Sequence, residues 1–497
     1  MSDLHYMGVK EVLQAYQQGL SPVELITHLL ERIKHVNPRI NCVVDTLPDL
    51  ALEEAHRAEA VLRGQQTGTS GAGQGGAGDT SAVFADKPLL GVPFLLKEQH
   101  DLAGHSATRG SQTLAGAVAE ADHPIVARLR AAGAIPLGRT TTPEFSCATF
   151  SHTREWGVSR NPFNLDKTPG GSSGGSGGAV AAGFAPFATA SDIAGSTRIP
   201  AAFNGLPGFK SPFGSTPGTH PSNNDWYRGD HVLARSVADT AYVFNAITGV
   251  DPYDNATVPV EDYPHEFGEG AGGDAAEVAA RLLAGKRVAV SADLGAYALD
   301  PAVAAGVDRV AQALAGAGAI VETVDVGLVL ETITRASMSH FGHIFGAKLY
   351  QTMNGDLSRL EPYTRLMIES TTQAARETSL VDSLELESQI QDTLTRAMEG
   401  YDVLVTGTSA IEDLDAGCDY LGEVEREAGN LDFYWEGHMT VPFNIANRRP
   451  VMAMPSGVGS AGVPTSVQIV GHPYDCAPVF EVSAGLEQLV TVPRPEL

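Results

Sequence analysis

Residues Gly170–Gly178 read GGSSGGSGG, followed by AVAAGFAPFATA to Ala190 and then by SDIAGSTRIP over Ser191–Pro200. Serines set among glycines let backbone amides approach a ligand closely. Successive exposed N–H groups form a concavity for anions, suited to a phosphate or to the oxyanion of acyl transfer. A phosphate loop would need a preceding strand and a Gly-Lys-Ser/Thr ending, and both are missing. A nucleophile elbow fits literally, since GGSSG and GGSGG both match G-x-S-x-G. An elbow also needs a strand running straight into the serine, whereas the lead-in NPFNLDKTP carries two prolines. A flexible linker stays open for this segment taken alone, although the apolar, alanine-rich stretch that follows at once suggests packed glycines. A further reading uses two serines and a lysine.

The surrounding chain narrows the setting. It has 497 residues, 43% of them hydrophobic and 19% charged, with a formal net charge of −26. That composition suits a globular enzyme and not a disordered chain. The acidity argues against nucleic acid and anionic lipid as default partners. Cys42, Cys147, Cys418 and Cys476 form no CxxC pair. Reduced thiols in a cytoplasmic protein, with no zinc cluster, are therefore expected. No basic leader precedes an apolar run at the N-terminus, and Ala179–Ala190 is too short and too interrupted to span a membrane.

Local patterns alternate in type. Ser21-Pro22-Val23-Glu24 predicts a helix start, and Ile26, Leu29, Leu30 and Ile33 follow at helical spacing. A second helix is expected over Leu50–Leu62. Strands are expected at Leu89–Lys97, Ala134–Gly138, Arg287–Ser291, Ile320–Val324 and Val403–Thr406, with a helix over Pro124–Ala132. This predicts an α/β fold with a central mixed β-sheet surrounded by helices. The expected organisation is a single domain over 1–497. Within it lie N-terminal helices (1–63), a glycine-rich flexible loop (64–80), a chemistry-bearing region (88–250), a helical insertion (330–400) and a C-terminal part (440–497). The loop contains G-x-G-x-x-G at Gly73, Gly75 and Gly78, but no strand–helix frame gives it a nucleotide role. A second loose loop is expected over Pro264–Gly273.

The block PGGSSGGSGGAVAAG…ASDIAGSTRIPAAFNGLPGFK resembles the signature of the amidase signature family of serine hydrolases. The similarity extends to GVPFLLKEQHDLAG (91–104), LRAAGAIPLGRTTTPEF (129–145), RSVADTA (235–241) and TVPFNIANRRPVMAMPSGVGSAGVPTSVQIVG (440–471). The resemblance implies an amidase-signature fold. It puts the nucleophile on Ser196, the bridging serine that follows a cis peptide bond on Ser172, and the lysine on Lys97. The 24-residue spacing of the two serines agrees with the family pattern. Ala194 stands where the family usually has glycine, which keeps the backbone donor.

The chemistry explains those residue types. A serine hydroxyl is a weak nucleophile and needs a base beside it. Lysine can serve only if burial or nearby positive charge keeps its amine neutral, well below its ordinary pKa. Lys97 follows the apolar run Val92–Leu96, a buried strand end. The expected oxyanion donors are the backbone N–H groups of Ile193, Ala194, Gly195 and Ser196. Asp192 and Arg198 are read as holding that turn. Phe145, Ser146 and Gly171 are expected to bind substrate, and Trp226, Tyr227 and aromatics of 330–400 are weighed against ordinary core packing. His340 and His343 form H-x-x-H without a third ligand, so no metal is expected. Cys147 lacks the pattern a cysteine nucleophile of nitrilase type needs.

The resemblance thus implies hydrolysis of a carboxamide, ester or carbamate through an acyl-enzyme on Ser196. Neither metal nor organic cofactor is implied. A free-standing hydrolase in the cytoplasm is expected, acting on a small-molecule amide without nucleic acid or membrane, and a homodimer is the assembly considered. The alternative is one component of a tRNA-dependent amidotransferase, which moves ammonia onto an aminoacyl-tRNA with partner chains.

Overall fold

The computed structural model describes residues 4–66, 81–267 and 274–497. The Gly73-Gly75-Gly78 motif and the end of the Pro264–Gly273 loop lie outside the described residues. Among the described residues there are thirteen strands: β1 (Val43–Thr46), β2 (Pro93–Lys97), β3 (Ile135–Thr140), β4 (His152–Thr153), β5 (Gly157–Val158), β6 (Phe187–Asp192), β7 (Gly208–Lys210), β8 (Gly229–Ala234), β9 (Arg287–Val290), β10 (Ile320–Thr323), β11 (Val403–Gly407), β12 (Val451–Val458) and β13 (Pro464–Val470). They form a five-stranded sheet ordered β1-β3-β2-β6-β8, a six-stranded sheet ordered β10-β9-β11-β13-β12-β7, and the ribbon β4-β5. Both larger sheets mix parallel and antiparallel pairs, within an α/β architecture.

Why the first sheet matters is visible in β2. Every residue of PFLLK is buried, as expected for a strand covered on both faces. β2 runs parallel to both β3 and β6. The C-terminal ends of β2 and β6 therefore open at the same edge of the sheet, bringing Lys97 beside Ser191 and Asp192. Ser21 caps the helix Pro22–Ile40, its Oγ accepting from the amides of Val23 and Glu24 at 3.1 and 3.3 Å.

The glycine-serine block is neither linker nor elbow. Its second half is the helix Gly174–Ala181, buried throughout. A Cβ at Gly175 would fall onto Thr141, and one at Gly178 would sit 2.5 Å from Cys42 Sγ. The glycines are thus the condition for this helix to lie against β1 and β3. The peptide bond Gly171–Ser172 is cis.

Region 330–400 carries helices at Leu330–Phe341, Ala347–Thr352, Pro362–Glu377 and Leu380–Ala397. Among the described residues, no helix is long and apolar enough to cross a membrane.

Candidate active site

Lys97 ends β2 with no exposed surface. Its Nζ lies 2.8 Å from Ser172 Oγ and 2.9 Å from Ser191 Oγ, and its backbone N–H donates to Thr189 Oγ1 at 2.8 Å. Burial pushes the amine well below the ordinary lysine range, and the Arg228 guanidinium acts in the same direction against Asp230 and Asp192. A dry lysine among hydroxyls resolves its cost by losing its proton.

Ser196 follows β6 in a turn fastened from several sides. Burial alone would raise the Asp192 carboxyl, but Arg198, 2.9 Å away, outweighs it and holds the group well below the carboxylate range. Asn444 Nδ2 donates to Asp192 Oδ1 at 2.8 Å. Arg198 also donates to Gln468 at 2.7 Å and to Asn444 Oδ1 at 2.6 Å. Thr440 Oγ1 donates to the Ala194 carbonyl at 2.6 Å. The C-terminal segments thus lock the turn, with Asp192 and Arg198 bonded at its centre.

A pocket opens beside this turn. It is lined by Ser172, Ser191, Asp192, Ile193, Ala194 and Ser196 on one side. Phe145, Ser146, Phe341, Phe345, Met367 and Trp435 give it a largely apolar wall, and Gln99 and Arg228 add polar groups. Lys97 lies behind Ser172, and Ser172 and Ser196 share the pocket wall. The Ser173 N–H donates to the Ser196 carbonyl at 3.3 Å, tying the two serine segments together.

Two expected site residues are corrected. The Gly195 N–H donates to Asp192 Oδ1 at 2.7 Å and is committed to the turn; that leaves the amides of Ile193, Ala194 and Ser196 as candidate donors. Gly171 is absent from the pocket lining. A Cβ there would meet the 148–150 backbone at 2.7–2.8 Å, so Gly171 serves close packing. Phe145 and Ser146 do line the pocket. Tyr227 instead stacks on His340, with ring centroids 3.6 Å apart and planes at 3°. His340 contacts Asp225 Oδ1 at 2.8 Å and Glu387 Oε1 at 3.4 Å; His343 bonds the Thr378 carbonyl at 2.9 Å. Cys147 is buried, and burial pushes its thiol well above the ordinary range.

Several neighbours escaped sequence reasoning. Ser191 and Thr189 alternate along β6, a period-two signal that marks one face of the strand. Gln99 stands two residues beyond Lys97. Arg228 and Asp230 gave no signal short of the fold. His100 Nδ1 meets Thr189 Oγ1 at 2.8 Å, and its Nε2 meets Asp230 Oδ1 at 3.0 Å. His123 Nε2 lies 3.5 Å from Asp230 Oδ2.

The amidase family model matches residues 74–477, and the chain belongs to that family, that of the amidase signature enzymes. A glutamyl-tRNA(Gln) amidotransferase subunit from Psychrobacter sp. (strain PRwf-1) is 29% identical, over 96% of this chain and 94% of that protein. Its counterpart of the same name from Moorella thermoacetica is 28% identical, over 100% and 99%. Among solved structures, a bacterial aryl acylamidase of the amidase signature enzymes superposes with a TM-score of 0.83 at 23% identity, covering 98% of this chain and 97% of that one. The 6-aminohexanoate cyclic dimer hydrolase gives 0.78 at 26%, covering 100% and 99%.

These relatives correct the expected partners. A small-molecule substrate without nucleic acid does not agree with full-length relatives named as one component of a tRNA amidotransferase. The acidity misled for a physical reason. Net charge describes the isolated chain and is silent on what partner chains would carry.

Proposed function

We propose that this chain cleaves a carboxamide C–N bond through an acyl-enzyme on Ser196, with Lys97 as base and Ser172 as the bridge between them. The observation that carries the reading is the fully buried Lys97 amine 2.8 Å from Ser172 Oγ. A neutral amine has a lone pair to accept the Ser172 proton, and Ser172 in turn accepts that of Ser196 as it attacks the carbonyl. The amides of Ile193, Ala194 and Ser196 stabilise the oxyanion, each donor worth about 3 kcal/mol. The relay then runs backwards and protonates the leaving nitrogen. Water, entering along the same relay, releases the acyl group. Ester and carbamate cleavage follow the same steps.

The full-length relatives support the amidotransferase setting over the free-standing hydrolase. In that setting the released ammonia passes to an aminoacyl-tRNA held with partner chains. The apolar wall of Phe341, Phe345, Met367 and Trp435 supports the second reading, a hydrolase for amides with an apolar body. In both, residues 330–400 complete the pocket within one working unit over 1–497.

The test is an amide-release assay on the purified chain, with mass spectrometry of the protein during turnover. A covalent acyl adduct on Ser196 is expected, and an adduct elsewhere, or none during turnover, overturns the reading. Turnover by the chain alone selects the hydrolase; turnover only when partner chains and aminoacyl-tRNA are added selects the amidotransferase.

A further inference from the structure

Among the described residues, Arg228 is the one cation in the pocket lining, and its partners divide into two kinds. Behind the pocket, Nη2 donates to Asp230 Oδ1 at 3.1 Å, and Asp230 is itself fixed by His100. Toward the pocket, both terminal nitrogens converge on a single oxygen. With its side-chain carbonyl turned to Arg228, Gln99 accepts from them at 2.7 and 3.0 Å, while its amide nitrogen donates to Ser146 Oγ. A guanidinium fork is shaped for the two oxygens of a carboxylate, and a charged acceptor binds it more strongly than a neutral amide. The other charged group on the pocket wall, Asp192, is committed to Arg198 and the turn. Phe145, Phe341, Phe345, Met367 and Trp435 make the facing wall apolar. The pocket therefore offers one localised cation, held from behind, at the border of a greasy wall.

We infer that Arg228 determines specificity here: the amide this site accepts carries an apolar body and a carboxylate, and the carboxylate docks on the Arg228 fork. This rests on the reading of Ser196 as the acylated residue, since that fixes where the amide carbonyl lies. A ligand oriented at two points, carbonyl by the backbone amides and carboxylate by the fork, has its scissile bond set in one place.

The test uses two anilides of equal chain length, glutaryl anilide and pentanoyl anilide, which differ at the terminal carboxylate. Their binding to the full chain with Ser196→Ala, which cannot turn them over, is measured by calorimetry. Glutaryl anilide is expected to bind about tenfold more tightly, the size of one charge-assisted hydrogen bond. The advantage disappears when Arg228→Gln is added and survives in part with Arg228→Lys, which keeps the charge without the fork. Equal binding, weaker binding of the carboxylate, no binding of either, or an advantage that Arg228→Gln leaves intact overturns the inference. The underlying reading is scored separately, by fluorophosphonate labelling of Ser196 in the unmodified chain. Labelling without a carboxylate preference sinks only the Arg228 assignment; a preference without labelling leaves Arg228 as a carboxylate site but sinks the Ser196 role and the placement of the amide carbonyl that rests on it.

Discussion

The Nζ of Lys97 lies 2.8 Å from Ser172 Oγ, at the end of a strand that is buried along its whole length. The two residues reach each other because β2 and the cis-linked turn before the helix Gly174–Ala181 meet at one sheet edge. Burial and Arg228 both favour the uncharged amine, the form that the proposed relay requires of Lys97. Replacing Lys97 with alanine is expected to lower kcat by about 10²–10⁴, the usual worth of a positioned base. Ser172→Ala is expected to fall in the same range. Steady-state rates beside unchanged circular dichroism check this, and near-normal turnover in either variant removes the relay.

The pH dependence follows with a definite sign. Only neutral Lys97 can accept a proton, and its pKa is lowered, first by burial and then by Arg228. Activity is therefore expected to be lost as pH falls through that lowered value and to stay level above it, including well below the ordinary lysine pKa of about 10.4. Arg228→Gln removes one of the two lowering influences, so the acidic limb of kcat/KM is expected to move to higher pH. Movement to lower pH contradicts the assignment of Lys97 as the base.

How much of this was legible beforehand varies with the kind of signal. The lysine and both serines sit in unbroken local blocks, GVPFLLK, GGSSGGSGG and DIAGS, whose residue types are dictated by chemistry at short range. The strands β2, β9 and β11 are legible because their apolar runs are short, and those of β9 and β11 are rich in valine, features that favour strand over helix. Arg228, Gln99 and Trp435 were not legible as pocket residues, because they meet only after two sheets and the 330–400 helices have packed. Gly195 shows a further limit. The motif predicts a turn rich in donors, but which N–H faces the pocket depends on where the Asp192 carboxylate falls.

Gly195 itself supplies a prediction. Its φ of +117° is disfavoured for residues with a side chain, and a Cβ there would fall onto Thr440. Gly195→Ala is expected to displace the 192–196 turn and reduce acylation at least tenfold, a loss on the order of 1.4 kcal/mol in transition-state stabilisation. Burst-phase kinetics, which separate acylation from later steps, provide the measurement. An unchanged burst rate means the turn tolerates the side chain and is not held as described.

The Asp192–Arg198 pair lies with both side chains fully buried, 2.9 Å apart. Removing one partner strands the other charge, at a cost of about 3–5 kcal/mol. Arg198→Met is therefore expected to lower stability in urea unfolding by that amount, and Arg198→Lys to recover only part, since it loses the bonds to Gln468 and Asn444. Burial acts to raise the Asp192 pKa, but Arg198 brings it below its unfolded value. The pair's contribution is thus present above the ordinary carboxylate pKa of about 3.9 and is lost as pH falls through the lowered folded value. Stability measured down the acid range is expected to decline less steeply in Arg198→Met than in the unmodified chain.

His340 gives the opposite sign. Burial alone would lower its pKa, but its contacts with Asp225 and Glu387 outweigh that and raise it. The His340 ring lies between those carboxylates and stacks flat on Tyr227, whose hydroxyl donates to Glu387 Oε1 at 3.0 Å. It thereby ties helices Leu330–Phe341 and Leu380–Ala397 to the 225–228 segment that delivers Arg228 to the pocket. A group with a raised folded pKa stabilises fully below its unfolded value of about 6.5, and that stability disappears as pH climbs through the folded value. The melting-temperature gap between the unmodified chain and His340→Gln is therefore expected to be widest in mild acid and to narrow toward alkaline pH. Because Phe341 is the next residue and lines the pocket, KM is expected to rise over the same pH interval in the unmodified chain and to stay flat in His340→Gln. A gap that widens with pH, or parallel KM profiles, shows that the imidazole is held neutral and that the tie rests on packing alone.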